Sequence, residues 1–163
     1  MSNVTRRKFI AGVAATAAGT GVCVYGLRGC ATFSKVGSTP AISGGAYVVE
    51  NNKVRIDLSK VAELRRIGGS VKIIDTKLPQ SIIVARSGDT DFVAVSLQCP
   101  HRGVEVEYRH AEKQFRCASL GHSTFGLDGT RKKGFANTSL RKFEAQIDPS
   151  ETNSLIISPS NMQ

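Results

Sequence analysis

Short runs in which apolar and polar residues alternate make up most of the chain after residue 50. Residues Val54 to Leu58 alternate with a period of two, which predicts a half-buried strand. Further β-branched or alternating runs predict strands at 71–74, 81–85, 92–97, 104–108, 114–117, 142–147 and 155–158. The chain after residue 50 carries no long helical pattern and no internal repeat. We therefore expect an all-β fold, an antiparallel sandwich or barrel of about nine short strands.

The first 30 residues differ from the rest of the chain in composition and charge. Arg6 and Arg7 form a twin-arginine element, and the following run from Ile10 to Leu27 is rich in Ala and Gly and uncharged. This segment resembles a Tat export signal and predicts an N-terminal hydrophobic helix. At about 1.5 Å per residue the run is also nearly long enough to cross a bilayer core of about 30 Å. It is therefore a cleaved signal, a retained anchor, or a leader removed before lipidation of Cys30.

Composition divides the rest of the chain. Residues 31–45 contain Gly, Ser, Thr and Pro without an apolar period, which is typical of a flexible tether. Residues 46–158 form the predicted domain, and residues 159–163 are expected to be a frayed tail. We expect a membrane-attached protein on the outer, periplasmic face of the cytoplasmic membrane.

The formal net charge is +9, and four of the basic residues belong to the leader. The basic residues that remain concentrate around two short Cys- and His-containing segments. They predict either a solvated rim or a docking face for an acidic partner. Nucleic acid is not an expected partner, because the sequence offers no aromatic stacking platform. The basic group consists of Arg102, Arg109, Lys113, Arg116, Arg131, Lys132, Lys133, Arg141 and Lys142.

Two Cys/His pairs are the main candidate for chemistry: Cys99 with His101, and Cys117 with His122. Two thiolates and two imidazoles could bind a structural zinc ion in tetrahedral geometry. They could equally bind a two-iron centre, with the thiolates on one iron and the imidazoles on the other. The close spacing of Cys99 and His101 favours the two-iron centre. A blue-copper site would leave one cysteine unused.

In these segments the chain resembles the Rieske 2Fe-2S family. The likeness lies in Cys99-Pro100-His101-Arg102-Gly103, in Ser123-Thr124-Phe125 and in the turn Leu127-Asp128-Gly129, and it extends over roughly residues 45–158. It implies a Rieske-type 2Fe-2S cluster with Cys99 and Cys117 on the inner iron and His101 and His122 on the outer iron. It also implies that Ser123 donates a hydrogen bond to a bridging sulfide.

The chain departs from the family pattern at the second segment. The family has Cys-x-x-His followed by Gly, whereas four residues separate Cys117 from His122 here and Gly121 precedes the histidine. The alternative to a working cluster is a degenerate or zinc-filled site.

Other positions that affect the family's cluster also differ. Val104 stands where cytochrome bc-type members carry a disulfide cysteine, and Phe125 stands where high-potential members carry Tyr. Phe135 and Asn137 replace the two prolines of the covering loop. These replacements imply that the disulfide is absent and that the reduction potential of the cluster is intermediate or low for the family.

The resemblance implies an electron-transfer protein that is not a catalyst on its own. One expectation is the iron-sulfur subunit of a membrane quinol-oxidising cytochrome bc-like complex, with quinol, cytochrome b or a c-type cytochrome as redox partner. A second is a Rieske small subunit or ferredoxin-like partner of a larger exported oxidoreductase, similar to arsenite oxidase. A third is a cluster-free or zinc-filled binding module on the same fold.

Overall fold

The computed structural model describes residues 36–160. Contacts divide the chain into two units, Met1–Ser34 and Lys35–Gln163, and the described residues all lie in the second. The predicted N-terminal helix, the Tat signal and residues 161–163 lie outside the described residues. Within residues 36–160 no helix is long and apolar enough to cross a membrane.

The described residues form eleven strands and three 3-10 turns, which confirms the all-β class. The turns are Gly44–Ala46, Leu58–Lys60 and Glu63–Arg65. The strands are β1 (Tyr47–Glu50), β2 (Lys53–Asp57), β3 (Ser70–Ile73), β4 (Ile82–Arg86), β5 (Phe92–Ser96), β6 (Val106–Arg109), β7 (Gln114–Cys117), β8 (Thr124–Phe125), β9 (Arg131–Lys133), β10 (Lys142–Asp148) and β11 (Glu151–Pro159).

The strands make two antiparallel sheets. The larger has the order β1-β2-β11-β10-β5-β4-β3, and the smaller has the order β6-β7-β8-β9. The last strand returns to pair with β2, so the ends of the domain lie side by side. β11 reaches Pro159, one residue past the predicted domain end, and the hydroxyl of Ser160 donates to the carbonyl of Lys142.

Three of the eleven strands were not predicted, because each lacks the apolar alternation that reveals a strand. β1 buries only Val49 and joins β2 through Asn51 and Asn52, both with positive φ, a geometry that Asn tolerates in tight hairpins. β8 has two residues, and all three residues of β9 are exposed. The Asn-Asn pair between two short runs was a usable turn signal for β1.

Strands β4 and β5 are buried on both faces and separate two apolar cores. Ile82 and Val84 face the core of the larger sheet, whereas Ile83 and Ala85 face a second core that contains Cys99 and Cys117. A strand buried on both faces consists almost entirely of β-branched or small apolar residues, as β4 does. One side of the second core is therefore formed by β4 and β5, and the two cysteines pack in this core.

Part of the predicted tether lies against the domain. The carboxylate of Glu105 accepts a hydrogen bond from the N–H of Gly37 at 2.8 Å, and that of Glu107 accepts from the N–H and hydroxyl of Ser38 at 2.7 Å. Residues 40–42 continue alongside Lys72 in β3. The flexible tether over 31–45 stays a prediction, and residues 37–42 within it are hydrogen bonded to the domain.

Candidate metal centre

The first loop, residues 99–104, follows β5 and leads into β6. The N–H of Cys99 donates to the carbonyl of Val104, and the N–H of Gly103 donates to the carbonyl of Cys99, both at 2.8 Å. Gly103 has φ +67°, a conformation that glycine adopts without strain. These two hydrogen bonds close a tight turn with Cys99 at its base and His101 at its exposed tip.

The second loop, residues 118–123, connects β7 to β8. Cys117 ends β7, and its N–H donates to the carbonyl of Ser123 at 2.8 Å, which closes the loop at its base. The N–H of His122 donates to the carbonyl of Ser119 at 3.0 Å, so these residues form a turn inside the loop. This turn accommodates the longer spacing between Cys117 and His122.

The two loops are joined at their bases. The N–H of Ala118 donates to the carbonyl of Glu105 at 3.0 Å, and Cys117 pairs with Val106 across β6 and β7. Both cysteines are buried, at 1% and 2% exposure for Cys99 and Cys117. The fold thus brings together two thiols that lie 18 positions apart in the sequence.

The two thiols lie next to each other with the Ser123 hydroxyl beside them. Burial raises the pKa of the Cys99 thiol, and the neighbouring Cys117 raises it further, whereas the N–H of His101 and the hydroxyl of Ser123 act in the opposite direction. The buried Ser123 hydroxyl also accepts from the N–H of Ala136 at 3.0 Å. Both thiols are free, without a disulfide.

A covering loop, residues 134–140, closes over Ser123. Gly134 has φ +100°, and a Cβ there would come within 2.4 Å of the Ser123 Cα. Ala136 is fully buried against the second core. Phe135 projects outward, 67% exposed, and its ring stacks on the imidazole of His101 with 5.8 Å between ring centroids.

His101 and His122 are both exposed, one on each of the two loops. The Nδ1 of His122 is 3.5 Å from the carbonyl oxygen of its own loop's Cys117. His122 has φ +40°, a left-handed conformation that a non-glycine residue adopts at some cost. A glycine at this position would adopt the same conformation without strain.

His110, the third histidine, is far from the two loops. It lies in the hairpin turn beyond Arg109 and Gln114, whereas Cys117 is at the other end of that ladder, about 10 Å further at about 3.3 Å per residue. Its Nδ1 is 2.9 Å from the hydroxyl of Tyr108. The structure therefore agrees with a loop histidine outside the site.

The donor residues are of the types that a Rieske centre uses, and the thiols of Cys99 and Cys117 lie next to each other. Two cysteine sulfurs and a serine hydroxyl meet in a buried recess, and each of the two loops that contain it carries one exposed histidine. In residues 36–160 no three His, Cys, Asp or Glu side chains are grouped closely enough to hold a metal ion. The residues fit a two-iron cluster if the side chains of His101 and His122 turn toward the thiols.

Comparison with known proteins decides the family. Residues 55–144, more than half of the chain, match the Rieske 2Fe-2S domain. The chain belongs to this family. Its cofactor is a Rieske-type 2Fe-2S cluster, and this Rieske protein functions in electron transfer. No curated protein matches the sequence.

Two solved structures resemble this one. The ferredoxin of carbazole 1,9a-dioxygenase from Nocardioides aromaticivorans IC177 aligns with a TM-score of 0.50 and 18% identity, over 61% of this chain and 95% of that chain. The plasma membrane Rieske protein PetC3 from Synechocystis PCC 6803 aligns with a TM-score of 0.48 and 24% identity, over 60% and 93%. The first of these alignments supports the shared fold.

Two features of the Rieske site were not predicted from the sequence. The thiol of Cys117 donates to the hydroxyl of Ser119 at 3.1 Å, and Phe135 covers one face of His101. Phe135 was recognised as a replacement for proline, and an aromatic residue at that place was the available signal for a ring contact. The Ser119 contact depends on the turn inside the longer loop, which the spacing alone does not define.

Proposed function

We propose that Cys99 and Cys117 bind one iron of the cluster, that His101 and His122 bind the other, and that Ser123 donates a hydrogen bond to a bridging sulfide. The observation that carries this assignment is the buried meeting of Cys99, Cys117 and Ser123 beneath two loops that each present one histidine. Burial of the thiolate end and exposure of the imidazole end leave the histidines facing a redox partner. The cluster supplies one-electron transfer.

Three alanine variants test the ligand assignment. His101→Ala and His122→Ala each leave the outer iron one ligand short, so both should lose the Rieske-type EPR signal of the reduced protein. His110→Ala is the matched control, because this imidazole contacts Tyr108 at the far end of the hairpin. A normal signal in His122→Ala would contradict the assignment of the second loop.

We further propose that the protein is exported by the Tat system and held at the outer face of the cytoplasmic membrane by its N-terminal segment. There it would serve as the iron-sulfur subunit of a quinol-oxidising cytochrome bc-like complex. The twin-arginine element and the uncharged run from Ile10 to Leu27 support this location. Alkaline extraction of membranes should leave the full-length chain in the pellet, and replacement of Arg6 and Arg7 by Lys should keep it in the cytoplasm.

Two observations favour a second candidate, a Rieske small subunit or ferredoxin-like partner of another exported oxidoreductase. Val104 is buried at the position of the bc-type disulfide cysteine, so the first loop has no cysteine besides Cys99 to form that disulfide. The ring of Phe135 also covers one face of His101, which leaves less of that imidazole accessible to a quinol. A cytochrome b gene beside the coding sequence supports the first candidate, whereas a molybdenum-enzyme gene supports the second.

Reduction by quinol distinguishes the two candidates directly. The full-length protein in its native membranes should be reduced by an added short-chain quinol under the first candidate, on the time scale of quinol turnover. Under the second, quinol leaves it oxidised although dithionite reduces it. The reduced fraction is read from the amplitude of the EPR signal.

The basic residues near the two loops support an acidic redox partner. Arg102 lies in the first loop, and Arg131, Lys132 and Lys133 form the exposed strand β9 next to the covering loop. Arg109 and Lys113 lie instead at the hairpin end with His110, so they are not part of this face. Association rates with the partner should fall with ionic strength, and replacing Lys132 and Lys133 by Gln should weaken that dependence.

A further inference from the structure

The sulfur of Cys117 has a hydrogen-bond partner within its own loop. The Cys117 Sγ is 3.1 Å from the Ser119 Oγ, with the thiol donating to the hydroxyl oxygen. Ser119 is half-buried, so water competes only partly for its hydroxyl. The two residues are separated by Ala118 alone, and this contact exists because the chain turns sharply after β7.

Backbone hydrogen bonds hold Ser119 in this place. The N–H of Ala118 donates to the carbonyl of Glu105 on one side, and the carbonyl of Ser119 accepts from the N–H of His122 on the other. Gly121 then packs against Phe135, where a Cβ would meet the ring at 2.7 Å. The Ser119 side chain is therefore directed inward by a loop that is anchored at both ends.

Other hydroxyl groups near the thiols are already engaged or are missing. The Ser123 hydroxyl interacts with Cys99 and accepts from the N–H of Ala136. Phe125 is fully buried in the second core but carries no hydroxyl. In the part of the chain that the structure describes, Ser119 supplies the hydroxyl hydrogen bond to Cys117.

We propose that Ser119 is a positioning residue that donates a hydrogen bond to the Cys117 thiolate and thereby raises the reduction potential of the centre. The inference rests on the proposed function, in which Cys117 is an iron ligand. A ligating sulfur has lost its proton and can only accept, so the hydroxyl rotates and becomes the donor. Hydrogen bonds to ionised groups are stronger than neutral ones.

The direction of the effect follows from charge. Reduction adds one negative charge to the cluster, and part of that charge resides on the sulfur ligands. A hydroxyl that donates to Cys117 stabilises the reduced state more than the oxidised state, which raises the potential. Its removal should shift the reduction equilibrium toward the oxidised form by about threefold to tenfold, where tenfold is 59 mV for one electron.

The test compares variants that differ in the hydroxyl at residue 119. Ser119→Ala removes this hydroxyl. Ser119→Thr keeps a hydroxyl and Ser119→Val lacks one, and the two replacement side chains are nearly equal in size. Leu120→Ala is the loop control, because Leu120 is 79% exposed and has no hydroxyl. Iron and sulfide are assayed in each purified protein, and the midpoint potential is then measured by a redox titration followed by EPR.

The proposal predicts a lower potential for Ser119→Ala and Ser119→Val than for the wild type, with Ser119→Thr and Leu120→Ala close to the wild type. Equal midpoint potentials in the Thr and Val variants would overturn the proposal. Comparison of these two variants tests it even if Ser119→Ala fails to assemble a cluster. Failure of the proposed function looks different, since the wild type itself would then contain neither iron nor sulfide.

Discussion

The ammonium group of Lys72 lies 2.8 Å from the carboxylate of Glu105, and both side chains are about nine-tenths buried. The same carboxylate oxygen accepts from the N–H of Gly37, while the backbone carbonyl of Glu105 accepts from the N–H of Ala118 in the second loop. This buried pair therefore connects β3, the segment that enters the domain and the loop that carries His122.

Removing one partner of this pair should destabilise the domain strongly. Lys72→Met leaves the Glu105 carboxylate buried without its counter-ion, and losses of this type are about 3–5 kcal/mol of unfolding free energy. Urea unfolding monitored by circular dichroism measures the change. The double variant Lys72→Met/Glu105→Leu should recover much of the loss, because it leaves no unpaired charge.

The exposed ion pair between Lys60 and Asp57 is the matched control. The Lys60 side chain is 60% exposed, and its pair with Asp57 spans three positions of a surface turn. Because water screens such pairs, Lys60→Met should leave the unfolding midpoint almost unchanged. An equally small effect of Lys72→Met would show that the buried pair contributes nothing.

A glycine beside Ser123 should be essential for the geometry of the site. Gly134→Ala places a methyl group 2.4 Å from the Ser123 Cα and 2.9 Å from the Ser123 N, both backbone atoms, at a residue with φ +100°. The strain alone is about 1–3 kcal/mol, and the displaced covering loop would lose the hydrogen bond between Ala136 and Ser123. We expect a lower thermal midpoint and reduced cluster content per chain.

Gly121→Ala serves as the comparison for that variant. Its methyl group would meet the ring of Phe135 at 2.7 Å, but this ring is 67% exposed and can turn away. Cluster content close to that of the wild type is therefore expected. Similar losses in both variants would mean that the covering loop is not held by the close approach of Gly134.

Asp148 should make stability depend on pH in the acid range. The Ser150 hydroxyl, the Ser150 N–H and the Arg55 guanidinium together hold the pKa of Asp148 at about 2 instead of 3.8. Because the folded-state pKa is depressed, this contribution is present above about pH 4 and disappears as the pH falls toward 2. Thermal midpoints of the wild type should therefore fall more between pH 5 and pH 2 than those of Asp148→Asn.

Glu112→Gln controls for the change in net charge, since Glu112 is exposed in the hairpin turn. This variant should follow the wild-type curve of midpoint against pH. Parallel curves for the wild type and Asp148→Asn would instead show that the Ser150 and Arg55 contacts do not favour the ionised carboxylate in solution.

The strands that could be predicted are those in which apolar residues at regular spacing bury one or both faces. β2, β4 and β5 show this in their Val, Ile and Ala runs, because buried faces require apolar residues at fixed spacing. β9 has three exposed basic residues and is a strand only because β8 pairs with it. Its existence depends on tertiary pairing, which the local sequence does not encode.

Some features of the candidate site could likewise be predicted from the sequence, whereas others depend on the tertiary structure. Residue type and spacing predicted Cys99, His101, Cys117 and His122 as candidate ligands, and the family resemblance added Ser123. The meeting of the two thiols depends on the pairing of Val106 with Cys117 and on the hydrogen bond from Ala118 to Glu105, which are long-range features. The roles of Ser119 and Phe135 depend on how the longer second loop turns, and a single sequence does not specify that conformation.

Analysis of iron, sulfide and zinc in the anaerobically purified protein, with an EPR spectrum of its reduced form, tests the central claim most directly. Ligation by Cys99, His101, Cys117 and His122 predicts two irons and two acid-labile sulfides per chain, as expected of a Rieske 2Fe-2S domain, and a Rieske-type signal on reduction. One zinc per chain without sulfide, and no signal after reduction, would contradict it.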